Sequence, residues 1–274
     1  MTVCIAAMAR DHIVAVSDTM IAGGTISTDG NTNKQESIAP NWLAMFSGND
    51  ISPALPITHR VMECLKERSC NLGVVRSCLK SAFKQQLSEL AADRVLSQFG
   101  LDMATFLESG KDMFDEGTFG ALCAELRAVV FDDLQFLVYG FDDDKQPHIF
   151  NVHRAGEDTV LNNPGFGAIG SGSYAADTIL YYLNQSRKCS LEESIANVCA
   201  AKFVAERAQG VGTATSLFVK RHGSIGFEYK TNLVERLRKE WENAGAPRTT
   251  ERAVGIVKEA EIQIFSDHSS AMSS

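Results

Sequence analysis

The sequence predicts an α+β fold of four layers, αββα, with two packed sheets between two helical layers. Three observations carry this. Strand-length apolar runs fill the first fifty residues, and a second group of strands lies between two blocks of helical periodicity. A last strand pair follows the second helical block. Strands, two helices, strands, two helices, strands is an order in which helix pairs can cover the outer faces of two stacked sheets.

The elements follow in turn. Val3–Met8 is a continuous apolar run, Ala9-Arg10-Asp11-His12 a polar turn, and Ile13–Asp18 a second strand. The Gly/Ser/Thr/Asn-rich stretch from Gly23 to Asn33 reads as a turn region. Lys34 leads into Gln35–Ile38, Pro40-Asn41 turns the chain, and Trp42–Phe46 is a strand ending at Ser47-Gly48. Helices are predicted over Ser52–Glu67 and Leu72–Ser97, the second from an apolar stripe through Val75, Leu79, Phe83, Leu87 and Leu90. From Gln98 to Ala124 the pattern is irregular, with four glycines, and reads as an insertion. Strands return at Leu126–Phe131, Gln135–Phe141 and Pro147–His153. Two more helices are predicted at Tyr174–Ser186 and from Ser190 to about Arg207, the latter opened by the capping box Ser190-Leu191-Glu192-Glu193. A hairpin, Ala214–Lys220 with Ser224–Tyr229, completes the domain, residues 1–230. Residues 231–274 read as a C-terminal extension: a short amphipathic helix Leu233–Asn243, a linker Gly245–Arg248, a weaker element Glu251–Phe265 and a polar tail from Ser266.

Composition narrows the function classes. Apolar residues make up 45%, charged residues 22%, and the net charge is −8. That balance gives no electrostatic case for nucleic acid or an anionic membrane. No apolar run approaches the ~20 residues that span a bilayer, and the start lacks the basic and apolar regions of a secretory signal, so a cytoplasmic protein is expected. Seven cysteines without a CxxC pair read as reduced thiols filling the core. Six scattered histidines lack metal-binding spacing. The Asp132-Asp133 and Asp142-Asp143-Asp144 runs read as turn caps, so no metal or other cofactor is expected.

One spacing carries chemistry. Thr2 stands behind the initiator methionine, at the start of a strand. Asp18 ends the next strand, 16 residues on, and Lys34 lies 32 residues on, beside a third. Removal of Met1 would leave Thr2 with a hydroxyl and a free α-amine on one residue. The amine's ordinary pKa of about 7.7–8 suits a base at working pH. A neighbouring Lys⁺ favours the neutral, basic amine, and an Asp can hold that Lys in place.

Thr2, Asp18, Lys34 and Gly48, with the segment Gly167-Ala168-Ile169-Gly170-Ser171-Gly172-Ser173, resemble the motifs of proteasome β-type subunits. These belong to the N-terminal-nucleophile (Ntn) hydrolases, the group that includes the bacterial HslV protease. The resemblance implies an Ntn sandwich. It assigns Thr2 as nucleophile and its amine as base, Lys34 to tune the amine, Asp18 to orient Lys34, Gly48 N–H as oxyanion donor, and Ser171 as support for the amine. Ile21, Thr32, Glu36, Phe46 and Asp50 would flank the substrate site, with Phe46 at its base. One departure stands out. Family members carry an Asp, then a Ser three residues later, before the next strand. This chain has Ala205–Thr213, where Glu206 and Thr213 are the available substitutes.

The activity implied is a self-compartmentalising threonine protease acting on peptide or protein substrates. The partners implied are copies of itself in a ring, stacked or helical assembly, with an unfoldase as a further possible partner. An amidase, a transpeptidase and a catalytically silent homologue are the alternatives.

Overall fold

The computed structural model describes residues 2–23, 26–29, 34–224, 226–228 and 231–245. Two five-stranded antiparallel sheets with helices make it an α+β protein. The chain divides into two units, Met1–Glu235 and Arg236–Ser274.

The first sheet has the order β10-β1-β2-β11-β12. Its central hairpin joins β1 (Cys4–Ala9) and β2 (His12–Asp18), with Cys4 opposite Ser17 and Ala9 opposite His12. β1 is buried throughout and β2 nearly so, which explains continuous apolar runs rather than alternation. β10 (Phe166–Ile169) flanks β1, and β11 (Thr215–Arg221) flanks β2, followed by the short β12 (Phe227–Glu228).

The second sheet runs β5 (Gln35–Ala39), β6 (Trp42–Ser47), β7 (Gln135–Phe141), β8 (Pro147–His153) and β9 (Glu157–Val160). The glycine-rich stretch read as a turn contains a separate hairpin, β3 (Met20–Gly23) with β4 (Ile26–Asp29).

The two sheets face each other through one apolar cluster. Ala6, Met8, Ile13 and Ala15 of the first meet Met45, Leu137, Tyr139 and Ile149 of the second. The alternate residues Trp42, Ala44, Phe46, Phe136, Val138 and Phe150 point the other way, into a cluster under α1 (Ala54–Leu65) and α2 (Leu72–Ala91). The period-two alternation of β6 and β7 thus serves two cores at once. α5 (Ser173–Tyr182) and α6 (Leu191–Ala205) pack on each other and against strands of the first sheet.

Several sequence expectations are corrected. Gln98–Ala124 is not irregular: it holds α3 (Met103–Met113) and most of α4 (Glu116–Ala128), capped by Asp102 and Asp115. Their apolar residues form a small cluster of their own, where Phe106 and Leu122 meet Val95 and Leu96. Local capping made these helices despite the glycines. The strand expected at Leu126–Phe131 does not form, because α4 runs on to Ala128 and pairing resumes only at Gln135. α2 passes through a π turn, Ala92–Leu96, and a 3₁₀ turn, Ser97–Phe99, before stopping at Gly100. Nor are all the cysteines reduced. Cys64 of α1 and Cys78 of α2 form a disulfide, because the two helices lie side by side with these Cα atoms 5.8 Å apart. The other five are free thiols.

The predicted capping box at Ser190 forms in full. Ser190 Oγ accepts from Glu193 N–H, and the Glu193 carboxylate accepts from Ser190 N–H. α7 spans Thr231–Asn243. The weaker element at Glu251–Phe265, the tail from Ser266, and linker positions 246–248 lie outside the described residues.

Ser190→Ala is expected to lower unfolding stability by about 1 kcal/mol, the usual loss for such a cap. Urea unfolding should show a lower midpoint at an unchanged m-value.

Candidate active site

The site is built at one end of the strands, where the first sheet meets the second. Asp18 is the last residue of β2, and Lys34 is the residue before β5. The Lys34 carbonyl accepts from Phe46 N–H at 3.3 Å, which fixes its main chain beside β6. The Lys34–Asp18 ion pair, Nζ to Oδ1 at 3.0 Å, therefore bridges the two sheets. Both partners are buried, at 5% and 0% side-chain exposure.

A buried carboxylate is tolerated when its lone pairs are filled. Asp18 Oδ1 accepts from Lys34 Nζ, from the Thr2 hydroxyl, and from Val3 N–H at 3.1 Å. Oδ2 accepts from Gly212 N–H at 3.1 Å. Thr2 Oγ1 in turn accepts a hydrogen bond from Lys34 Nζ. The hydroxyl thus lies between an ammonium donor and a carboxylate acceptor. A hydroxyl has one proton and two lone pairs. The proton is directed at Asp18 and one lone pair at Lys34, which leaves one lone pair for attack on an electrophile.

The segment from β10 to α5 holds the Thr2 backbone. Gly170 has φ +90, and a β-carbon there would lie 2.2 Å from the Thr2 carbonyl oxygen. Only glycine permits both the conformation and the approach. Gly170 N–H donates to the Gln135 side chain at 3.1 Å, which ties the motif to β7. Ser171 Oγ lies 3.1 Å from the Gln209 carbonyl and 3.4 Å from that of Thr2. It holds main chain on both sides of the site.

The remaining sequence-predicted residues take different places. Gly48 follows β6, packed against Leu134 and Asp133, where a β-carbon would come within 3.2 Å of Leu134 Cα. Ser47, just before it, is buried with no partner for its hydroxyl among the described residues. Asp50 lines a cleft of about 310 Å³ together with Arg94 and Asp133. Hydrogen bonds from Ser52 hold the Asp50 carboxyl below its usual range, so it is an anion at neutral pH. Glu36 sits half-buried on β5 opposite Ala44. The ring of Phe46, expected at the base of a pocket, lies in the cluster under α1 and α2, its centroid 5.9 Å from that of Phe136. Ile21 belongs to β3 opposite Thr28, and Thr32 lies outside the described residues.

Cys4, two residues from Thr2, does not compete as a nucleophile. It is fully buried, and burial pushes its thiol up to about 12; the Lys34 charge opposes that shift and Asp18 adds to it. Thiol chemistry needs the thiolate, which is negligible near neutral pH at that value.

Sequence reasoning missed two supporting residues, Lys202 and Gly212. Lys202 of α6 is 0% exposed. Its Nζ donates to Glu206 at 2.6 Å and to the Gly212 carbonyl at 2.8 Å. Gly212 is thus gripped on both sides: its N–H by Asp18, its carbonyl by Lys202. Glu206 serves by holding Lys202, not by reaching Thr2. An i,i+4 Lys–Glu pair on a helix ordinarily reads as a solvated surface pair. Only the apolar neighbours of Lys202 in the sequence, Ala200, Ala201 and Phe203, hinted otherwise.

Among the described residues no three His, Cys, Asp or Glu side chains converge as a metal site. Asp142 faces His148 at 2.8 Å, and Asp143 faces Ser69 at 2.7 Å. No described helix is long and apolar enough to cross a membrane. No family model matches this chain, and no curated protein matches it significantly.

Two outcomes follow for the supporting residues. Gly170→Ala should displace the Thr2 main chain, which a near-complete loss of reaction of Thr2 with an acylating probe would register in a protein that still folds. Lys202→Met should cost about 2 kcal/mol of stability, because the Gly212 carbonyl and the Glu206 carboxylate each lose a charge-assisted hydrogen bond. A double-mutant cycle with Glu206→Gln should recover part of that loss.

Proposed function

We propose that this chain is an N-terminal-nucleophile amidohydrolase of the threonine type, in its simplest form a peptidase. The observation that carries the proposal is the buried Thr2 hydroxyl held between Lys34 and Asp18. A fold with no chemistry to perform has little use for an inter-sheet ion pair centred on a hydroxyl at a chain start. The arrangement of helices, sheet, sheet and helices supports an αββα sandwich of the Ntn type.

The mechanism requires release of Met1, which turns Thr2 from an internal residue, 3% exposed, into a terminus with a free amine. Acting through a water, that amine takes the Oγ proton as Oγ bonds to the carbonyl carbon of the substrate amide. The positive charge of Lys34 favours the neutral form of the amine. Asp18 fixes both Lys34 and the hydroxyl rotor. Gly48 N–H stabilises the oxyanion, a role worth about 3 kcal/mol where such donors have been removed. The C–N bond breaks, the leaving amine carries away the proton, and water hydrolyses the ester left on Thr2. If an amine replaces water in that last step, the same site performs transpeptidation.

Assembly of copies of the chain belongs to the same reading, since an unenclosed peptidase would meet every protein around it. The exposed tyrosines of α5, Tyr174, Tyr181 and Tyr182, at 84%, 65% and 79% exposure, are surface suited to association. The peptide substrate would pass the anionic Asp50 and Glu36, which favours a basic or small polar residue before the scissile bond.

Intact mass spectrometry tests the mechanism directly. The native protein should lack Met1 and gain one equivalent of a reagent that needs both hydroxyl and amine on a terminal residue. Thr2→Ala should fold and gain none, and Lys34→Met should react at least 100-fold more slowly. Complete retention of Met1, or equal labelling of Thr2→Ala, would sink the reading.

A further inference from the structure

The far end of the sheets carries a second feature, unrelated to the nucleophile. Arg10 follows β1, eight residues of extended chain from Thr2, or about 26 Å at ~3.3 Å per residue. Four turns converge there: β1–β2 at Arg10 and Asp11, β7–β8 at Lys145, α5–α6 at Arg187, and β11–β12 at Arg221 and His222. Together they line a cleft of about 640 Å³.

Its charge is one-sided. Arg10, Lys145, Arg187 and Arg221 are four permanent cations against one lining carboxylate, Asp11. Asp11 is already engaged, 2.8 Å from His12 Nδ1 and 3.4 Å from Arg221 Nε. Of the acids before Lys145, Asp142 faces His148, Asp143 faces Ser69 and the main chain of Cys70, and Asp144 does not line the cleft. Arg10, Lys145 and Arg187 have no carboxylate within ion-pair distance among the described residues. In a chain of net charge −8 this concentration is not what composition predicts.

The main chain beneath two of these cations is fixed in an uncommon conformation. Arg10 and Lys145 both adopt left-handed conformations, φ 50 and φ 64, at turn positions where glycine or asparagine is ordinarily favoured. Strain of this kind at a non-glycine residue persists where the surroundings impose it, and it gathers at ligand sites. Arg10 N–H donates to the Arg187 carbonyl at 2.9 Å, which couples two of the turns. The Arg187 stem lies over Gly165, so close that a β-carbon there would be 3.0 Å from Arg187 Cγ. On one side the half-buried ring of His222 packs edge-on against the buried Phe141 at 6.0 Å.

We propose that this cleft is a binding site for an organic oligophosphate. Guanidinium forks match phosphate oxygens two at a time, and several unpaired cations favour a multiply charged anion over a single carboxylate. The cleft exceeds what inorganic phosphate fills and falls in the range of small-molecule sites. The half-buried His222 ring offers a surface for the organic part.

Isothermal titration calorimetry of the full chain at constant ionic strength tests this, with pyrophosphate and ADP as probes and sulfate as the control. Pyrophosphate and ADP should both bind saturably, ADP tighter, and sulfate at least tenfold more weakly. Arg187→Met should weaken both by at least tenfold. Arg10→Gly, which relieves the left-handed strain, should do the same while leaving Tm equal or higher. Thr2→Ala should bind unchanged, which separates this site from the amidohydrolase reading. Absence of saturable binding, affinity no better than that of sulfate, or binding indifferent to both arginine substitutions would overturn the proposal.

Discussion

The carboxylate of Asp18 is the interaction on which the candidate site depends. It accepts hydrogen bonds from four donors on three different pieces of chain: the Thr2 hydroxyl and Val3 N–H, Lys34 Nζ, and Gly212 N–H. A carboxylate removed from water requires such saturation, because each unfilled lone pair raises the cost of burying the charge. Meeting that demand pulls the start of β1, the end of β2, the start of β5 and the loop before β11 to one point. The hydroxyl rotor of Thr2 and the ammonium of Lys34 are fixed as a consequence.

The fold makes such a point possible by placing strand ends from both sheets together. Asp18 closes a strand of the first sheet and Lys34 opens one of the second, so their ion pair lies across the seam between the two. The seam itself is apolar, from Ala6 and Met8 to Leu137 and Ile149, and it excludes water from the pair. Low local polarity strengthens the contact and equally punishes its loss. The same environment suppresses the thiol of Cys4, one residue beyond Val3. A single apolar setting thus suppresses one nearby ionisation and encloses an ion pair. The difference is that Asp18 and Lys34 answer each other.

A second ring of support lies behind the first. Gly212 receives Lys202 on its carbonyl and gives its N–H to Asp18, while Glu206 holds Lys202. Helix α6 is thereby connected to Asp18 through one residue, Gly212. Gly170 does comparable work from the other side, since its missing β-carbon lets the β10–α5 turn close on Thr2. At the opposite end of the sheets the turns carry a cluster of cations, of which only Arg221 meets a carboxylate among the described residues. The two ends of the same strands are therefore electrostatically distinct.

Much of this was legible in the sequence. The β1–β2 hairpin, the strands β6 and β7, the helices α1, α2, α5 and α6, and the capping box at Ser190 rest on local patterns, and local patterns are what a sequence displays. The spacing of Thr2, Asp18 and Lys34 was legible too, because each falls at the end of a readable strand. Helices α3 and α4 were not, since glycines masked them and Asp102 and Asp115 cap them without an apolar stripe to announce it. The Cys64–Cys78 bond, the grip of Lys202 on Gly212, the inward turn of Phe46 and the meeting of Arg10, Lys145, Arg187 and Arg221 were decided by tertiary structure alone. Each depends on which elements lie side by side, and a disulfide, a main-chain hydrogen bond or a charge cluster across turns leaves no periodic trace in the chain that forms it.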